Sequence, residues 1–427
     1  MSAVPRERLK VLVSAYACHP EQGSEPGVGW NWVREIAQYH DVWLLTEAER
    51  FAPATESALQ ADRDLRDAVK VVGIPRERRA ERWLRSLAYY HTYEKWQRAA
   101  LAQARELQRQ VRFDVVHQLN MIGYREPGFL WSLDAPFVWG PIGGFAQMPW
   151  RYLPAMGTAG ALALGLRNVA NEMQMRLSHR VRAAMAASDV LIAATSVDNT
   201  AIAKCYGRQA PVVHETGTAP ESDPPVRTIE SGQPLQVLWC GLMVPRKAVG
   251  VALRAVARAS QEIPIEFHLY GTGPQEPVAR GLAQQLGIHG RCHFHGQRPR
   301  AEVVERMRSS HVLLFPSLQE ATSATVPEAL ATGLPVLCHK ICGHGDVVTD
   351  EVGMRIPVAD PARSVEAFAK ALVTLGREPD RLRAYSIAAA QGAPRLAWST
   401  KGSAADGLYR QAIASWQSRS GHLLPGS

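Results

Sequence analysis

Two glutamates separated by seven residues, Glu320 and Glu328, enclose a run of small and hydroxyl-bearing residues that includes Ala321, Thr322 and Ser323. An ionised carboxylate only accepts hydrogen bonds and can take both hydroxyls of a vicinal diol, so the pair suits sugar recognition. Earlier in the same half stands Gly241-Leu242-Met243-Val244-Pro245-Arg246-Lys247. Gly241 lets a ligand approach the backbone, Arg246 offers a planar fork to phosphate oxygens, and Lys247 adds a compact point charge. Acids thus suit hydroxyls and the basic pair suits phosphate oxygens. Plainer readings exist for each part. Glu328 also fits a first-turn carboxylate favoured by the helix dipole, worth about 0.3–1 kcal/mol, and the basic pair also fits a solvated helix start.

The neighbouring elements put these residues in one place. Residues 312–315 are an apolar run closed by Pro316, as expected of a strand buried on both faces of a parallel sheet. A helix follows, with Pro327 in its first turn and Ala329, Leu330 and Ala331 as helix formers. Residues 235–240 repeat the strand signal, and the loop with Arg246 and Lys247 leads to a helix over 248–260. In open α/β sheets ligands bind beyond the carboxyl ends of the strands, where both loops lie.

This combination, with the Pro-Glu-Ala-Leu-Ala-Thr-Gly continuation at 327–333, resembles the donor-binding signature of the retaining glycosyltransferases of family 4, the group 1 glycosyl transferases. The resemblance implies the GT-B fold, an α/β architecture of two Rossmann-like domains facing across a cleft, with a C-terminal helix crossing back to the first domain. It implies that Glu320 contacts the donor hexose, with Ala321, Thr322 and Ser323 lining the same loop, and that Glu328 bonds the ribose. Gly241, Arg246 and Lys247 then form a diphosphate clamp. The donor would be a UDP- or GDP-sugar, with no cofactor and no metal. No carboxylate pair presents itself as nucleophile and acid, so same-face attack guided by the departing phosphate is the expected route.

At 427 residues, with 46% hydrophobic and 21% charged residues, the chain is globular and long enough for two cores of about 200 residues. Its six cysteines form neither a pairing framework nor a metal set, which suits reduced thiols in a cytoplasmic protein. We find no secretory signal, and the most apolar later run, 155–166, falls short of the ~20 residues a spanning helix needs.

The net charge of +8 is uneven: residues 76–112 hold ten Lys or Arg against four Glu. This segment reads as a long amphipathic helix or helix pair with Trp83, Leu87 and Tyr90 on one stripe. Basic and aromatic residues together suit peripheral contact with an anionic membrane, on the inner face of the plasma membrane, and an acceptor that is a sugar or lipid-linked saccharide. A core-facing stripe with a solvated basic back fits equally well. No recognition motif supports nucleic acid.

The N-terminal half opens with a strand at 9–16, a loop carrying Gly23-Ser24-Glu25-Pro26-Gly27-Val28-Gly29, a helix over 28–38 and a strand at 42–46, a βαβ unit. The loop resembles the family's first loop, which lies across the cleft from the donor diphosphate, and Gly23 is assigned to donor binding on that likeness. Residues 113–117 form a strand ending on His117. The family often carries a histidine here that looks toward the donor; a satisfied structural histidine reads equally well. Asp62-Arg63-Asp64 imitates a metal-binding Asp-x-Asp but sits in what reads as an exposed helix, so no metal is expected. Residues 136–139 and the loop 140–145 point into the same cleft, and 148–182 is expected to wall the acceptor side. Strands at 190–193 and 211–214 close the first sheet.

The proline-rich, polar stretch 218–234 marks the boundary between an acceptor-side domain (1–217) and a nucleotide-sugar domain (235–400), with 401–427 as the returning helix. The function expected is retaining hexosyl transfer, in cell-surface or exopolysaccharide assembly. A GT-B epimerase or phosphorylase, a dinucleotide oxidoreductase, and a non-catalytic nucleotide-sugar binder share enough of these features to stand as alternatives.

Overall fold

The computed structural model describes residues 7–76, 85–230 and 232–421. Short apolar runs bounded by glycine, proline or polar turns become fully parallel strands. In the N-terminal half they are β1 (Lys10–Ala15), β2 (Asp41–Glu47), β3 (Val69–Ile74), β4 (Val115–Asn120), β5 (Phe137–Ile142) and β6 (Val190–Ala193). In the C-terminal half they are β7 (Leu235–Cys240), β8 (Ile265–Tyr270), β9 (Cys292–Gly296), β10 (Val312–Phe315), β11 (Val336–His339) and β12 (Gly353–Ile356).

The sheet orders are β3-β2-β1-β4-β5-β6 and β12-β11-β10-β7-β8-β9. Each order reverses once, between β1 and β4 and between β7 and β10. Connections leave opposite faces of the sheet at such a point and open a crevice beyond the strand ends. The loops after β7 and β10 flank the second crevice, so the topology alone brings Arg246 and Lys247 to Glu320.

Alternation along each strand feeds a core on both faces. Val11, Val13 and Ala15 point into one cluster and Leu12 into another. The second sheet is sandwiched in the same way.

The Ser399–Ser420 helix returns to the first domain, as expected. Ala405, Tyr409 and Ala412 form one buried stripe in the core beside β1. Gly402 permits the closest approach to the Ser24–Ala37 helix, because a Cβ there would lie 2.4 Å from the Glu35 carbonyl oxygen.

Several expectations need correction. His117 does not look into the cleft. It is fully buried, with Nδ1 2.7 Å from the Tyr409 hydroxyl and Nε2 2.7 Å from the Gly140 carbonyl oxygen. Burial pushes its pKa down to about 4, so it is a neutral pin between β4, β5 and the returning helix. Residues 211–214 contribute one isolated bridge, Ala193 with Val212, because Pro211 cannot donate to a ladder. β3 and β12 were not anticipated.

Residues 77–84, and with them Trp83, lie outside the described residues, as does the Leu87 side chain. Tyr90, the one member of the expected stripe whose side chain is described, is exposed; the core-facing side of the Arg85–Gln110 helix is formed instead by Tyr93, Trp96, Ala100 and Ala104. Asp62 caps the Arg63–Ala68 helix, accepting from the backbone N–H groups of Asp64 and Leu65.

Replacing Tyr409 by Phe leaves His117 Nδ1 buried without a partner, at a cost of about 1–3 kcal/mol. Urea melts of Tyr409→Phe should show that loss, and an unchanged midpoint would contradict the pinning role.

Candidate functional site

β10 delivers Pro316 and Ser317 into the crevice, and the chain turns so that Glu320 points back toward the loop after β7. Gly241 begins that loop at φ 151°, a backbone region that L side chains rarely adopt. A short 3-10 turn, Pro245–Lys247, then presents both cations to the crevice.

One oxygen of Glu320 gathers the site. Arg246 Nη1 and Lys247 Nζ each lie 2.7 Å from Oε1, and the Ser317 hydroxyl donates to the same atom at 2.7 Å. Arg246 Nη1 also donates to the Gln319 carbonyl at 3.0 Å. Burial would raise the Glu320 carboxyl, but Lys247 and Arg246 outweigh it and hold the group below its ordinary range. Lys247 is buried and lies 4.9 Å from the Phe315 ring centroid. Two cations against one carboxylate leave a surplus positive charge facing the crevice, the arrangement a diphosphate requires.

Glu328 lies in the first turn of the Thr325–Ala331 helix and pairs with Arg300, Nε to Oε1 2.7 Å. It lines a cavity of about 390 Å³ with Cys240, Gly241, Tyr270, Gln297 and Arg298. The cavity sits beyond the ends of β7, β8 and β9, beside the Glu320 cluster, and its size suits a nucleoside.

Between the domains, Gln319 Nε2 donates to the Ala146 carbonyl at 2.7 Å, and the Ser196 N–H donates to Asp346 Oδ2 at 2.7 Å. The Thr322 N–H crosses to Glu215 Oε1 at 3.3 Å, while within the first domain the Ile122 N–H reaches Glu25 Oε1 at 3.4 Å. The second oxygens of Glu25 and Glu215 are buried without a hydrogen-bond partner. Burial pushes Glu25 up to about 7. Burial, then the charge of Glu25, pushes Glu215 up to about 8. Burial thus favours the protonated form of both, Glu215 more than Glu25.

The structure thus brings together Gly241, Arg246, Lys247, Glu320, Ala321, Thr322, Ser323 and Glu328. Ala321 accepts from the Gly343 N–H at 3.1 Å, and Ser323 is buried. Gly23 stands apart, exposed at the tip of the first loop, with no heavy atom within 4 Å of where a Cβ would project.

Sequence reasoning missed Ser317, Arg300, Glu215 and His344. His344 is buried edge-on to Phe315, 5.2 Å between ring centroids, and neither ring nitrogen has a partner. A histidine flanked by Gly343 and Gly345 was the local signal available for it; the other three carried none. The 148–182 segment does more than wall the cleft. Tyr152 docks on the second domain, donating to the Ser364 hydroxyl with its oxygen 3.2 Å from His339 Nε2.

Residues 234–378 match the family model described as Glycosyl transferases group 1. A D-inositol 3-phosphate glycosyltransferase of Streptomyces griseus subsp. griseus is 31% identical over 193 residues, 43% of this chain and 40% of the relative, so the match spans well under half of that protein. The lipopolysaccharide outer core galactosyltransferase WaaB superposes with a TM-score of 0.62 at 14% identity, covering 96% of this chain and all of WaaB. Anabaena HepE in complex with UDP and glucose superposes at 0.58 with 16% identity, covering 94% and 99%. The fold is therefore GT-B, as the sequence resemblance implied.

The neutral forms of Glu25 and Glu215 favour the closed, folded state. That contribution is complete below the ordinary value of 4.5, declines as pH rises, and is gone above about 8. Lys401, which burial pushes down to about 8 against the opposing charge of Glu215, titrates above that window. Glu215→Gln should therefore raise the melting temperature by a few degrees near pH ~8 and leave it close to the parent's near pH ~5. Equal shifts at both values would refute the assignment.

Proposed function

We propose, from the premise that the C-terminal half of this chain is a group 1 glycosyl transferase domain, that the protein moves a hexose from a nucleoside diphosphate sugar to an acceptor hydroxyl with retention at the anomeric carbon. The observation that carries this reading is the convergence of Arg246, Lys247 and Ser317 on Glu320 Oε1, beside the nucleoside-sized cavity that Glu328 lines.

Each residue then has a role. Glu328 takes the ribose hydroxyls, and Arg300 yields one face of its carboxylate to them. Arg246 and Lys247 bind the diphosphate and stabilise the charge that develops as the bond from C1 to the phosphate oxygen breaks. Glu320, ionised and oriented by three donors, accepts from hexose hydroxyls. The acceptor oxygen attacks C1 from the face that the phosphate leaves, and its proton passes to the departing phosphate oxygen. No protein nucleophile enters this route. His344 is neutral, since burial pushes it down to about 3, and its ring nitrogens suit a hydroxyl of the same hexose.

The donor is read as a UDP- or GDP-sugar; HepE, in complex with UDP and glucose, supports the first. The name of WaaB supports an acceptor among cell-surface glycans or their lipid-linked precursors, which is the acceptor we adopt; that of the D-inositol 3-phosphate relative supports a phosphorylated polyol instead.

A thermal-shift panel of nucleotide sugars, followed by turnover with a bacterial lipid extract and NMR of the product's anomeric configuration, tests the proposal. Arg246→Ala should lower turnover about 10²–10³-fold without unfolding the chain. Glu328→Ala should raise the donor KM about 10–100-fold, the worth of hydrogen bonds to a charged group. Near-parent kinetics in both variants would sink the reading, as would an inverted product.

A further inference from the structure

Six of the twelve large apolar side chains exposed among the described residues lie on one helix or at its entrance. Leu162 (66% exposed), Leu166 (62%), Val169 (48%), Met173 (54%) and Leu177 (70%) occupy the Gly157–Leu177 helix, and Trp150 (55%) stands just before it. The spacing 162, 166, 169, 173, 177 is that of one helical stripe. We infer that this outward ridge, with its arginine rim, is a docking surface for an anionic lipid bilayer.

The ridge is not a core face left uncovered, because the opposite face already makes the intramolecular contacts. Asn168 brackets Met148, donating to its carbonyl at 2.8 Å and accepting from its N–H at 3.2 Å. Asn171 Oδ1 accepts from the Tyr124 hydroxyl at 2.6 Å, and Met175 is buried. The inner face is thus held by these polar groups together with Ala161, Leu164 and Met175, and the helix carries a second apolar stripe on its outer face.

Charge identifies the occupant. Residues 151–182 hold five arginines against one acid, Glu172, and Arg151, Arg167, Arg176 and Arg182 are exposed around the ridge. Apolar side chains flanked by arginines match a membrane surface bearing negative headgroups. The helix does not cross the bilayer: Arg167, Glu172 and Arg176 interrupt it, and no helix among the described residues is long and apolar enough to span. A second copy of the chain fits less well. Facing copies would oppose their arginines.

Seating is transmitted to the cleft. The segment that Asn168 clamps continues back to Ala146, whose carbonyl accepts from Gln319 in the Glu320 loop. A bilayer under the helix would therefore lie next to the acceptor side of the crevice. The inference rests on exposure and charge and stands apart from the sugar-transfer reading.

The full-length protein is sedimented with vesicles of phosphatidylcholine alone and with about a third phosphatidylglycerol. It should partition onto the anionic vesicles only, and added salt should weaken the binding. Leu166→Gln with Met173→Gln, both outward-facing, should cut the bound fraction by about tenfold or more while leaving the melting temperature unchanged. Arg167→Glu should remove the preference for anionic lipid. Failure of the parent to sediment, or equal sedimentation of the double variant, would overturn the inference. So would a dimer in light scattering that the double variant splits without any vesicle binding. Nucleotide-sugar thermal shifts on the same samples report separately on the catalytic proposal.

Discussion

Glu320 Oε1 receives Arg246, Lys247 and the Ser317 hydroxyl, each at 2.7 Å, and the C-terminal half is arranged so that these groups can meet. A carboxylate this buried would ordinarily protonate. The two cations reverse that preference and hold it ionised. A buried ion pair contributes little net stability, yet removing one partner strands the other and costs about 3–5 kcal/mol. The cluster is thus better understood as a fixed electrostatic surface than as a fold-stabilising device. Its surplus positive charge is already in place before any leaving group carries negative charge, and such preorganisation is what lowers a barrier.

The opposing wall follows a different rule. Glu25 and Glu215 come from the first loop and from the approach to the linker, and each gives one oxygen to a backbone N–H while the other stays unpartnered. Burial raises both carboxyls, Glu25 to about 7 and Glu215 to about 8, so this side of the cleft favours the protonated form while the other is ionic. Closure can then proceed without bringing a second fixed negative charge toward a diphosphate. Ser196 with Asp346, and Tyr152 with Ser364, hold the domains at the cleft's margins.

The returning helix accounts for the histidine that strand position alone misplaced. His117 ends up between Gly140 and Tyr409, two residues distant in sequence, and both its ring nitrogens are used there. The strand expected to end on His117 runs on to Asn120, so the histidine sits inside β4 rather than at its carboxyl end, and the chain's last helix covers it. The Gly157–Leu177 helix shows the converse: an element read from sequence as cleft wall turns an unbroken apolar ridge outward.

Much of the architecture was legible in local sequence, because apolar runs bounded by glycine and proline, and the Pro-Glu-Ala-Leu-Ala helix start, are properties of neighbours along the chain. The glutamate spacing and the glycine-to-lysine loop belong to that class. Edge strands β3 and β12 escaped notice because Lys70 and Gly73 in the one, and Arg355 in the four-residue other, interrupt the apolar run. Only the tertiary structure decided which oxygen the cations share, that Arg300 answers Glu328, that Glu215 meets Thr322, and that His117 is a pin. Each of those pairings spans a long stretch of sequence, and the packing of whole helices and sheets, not residue spacing, determines which distant side chains come within hydrogen-bonding reach.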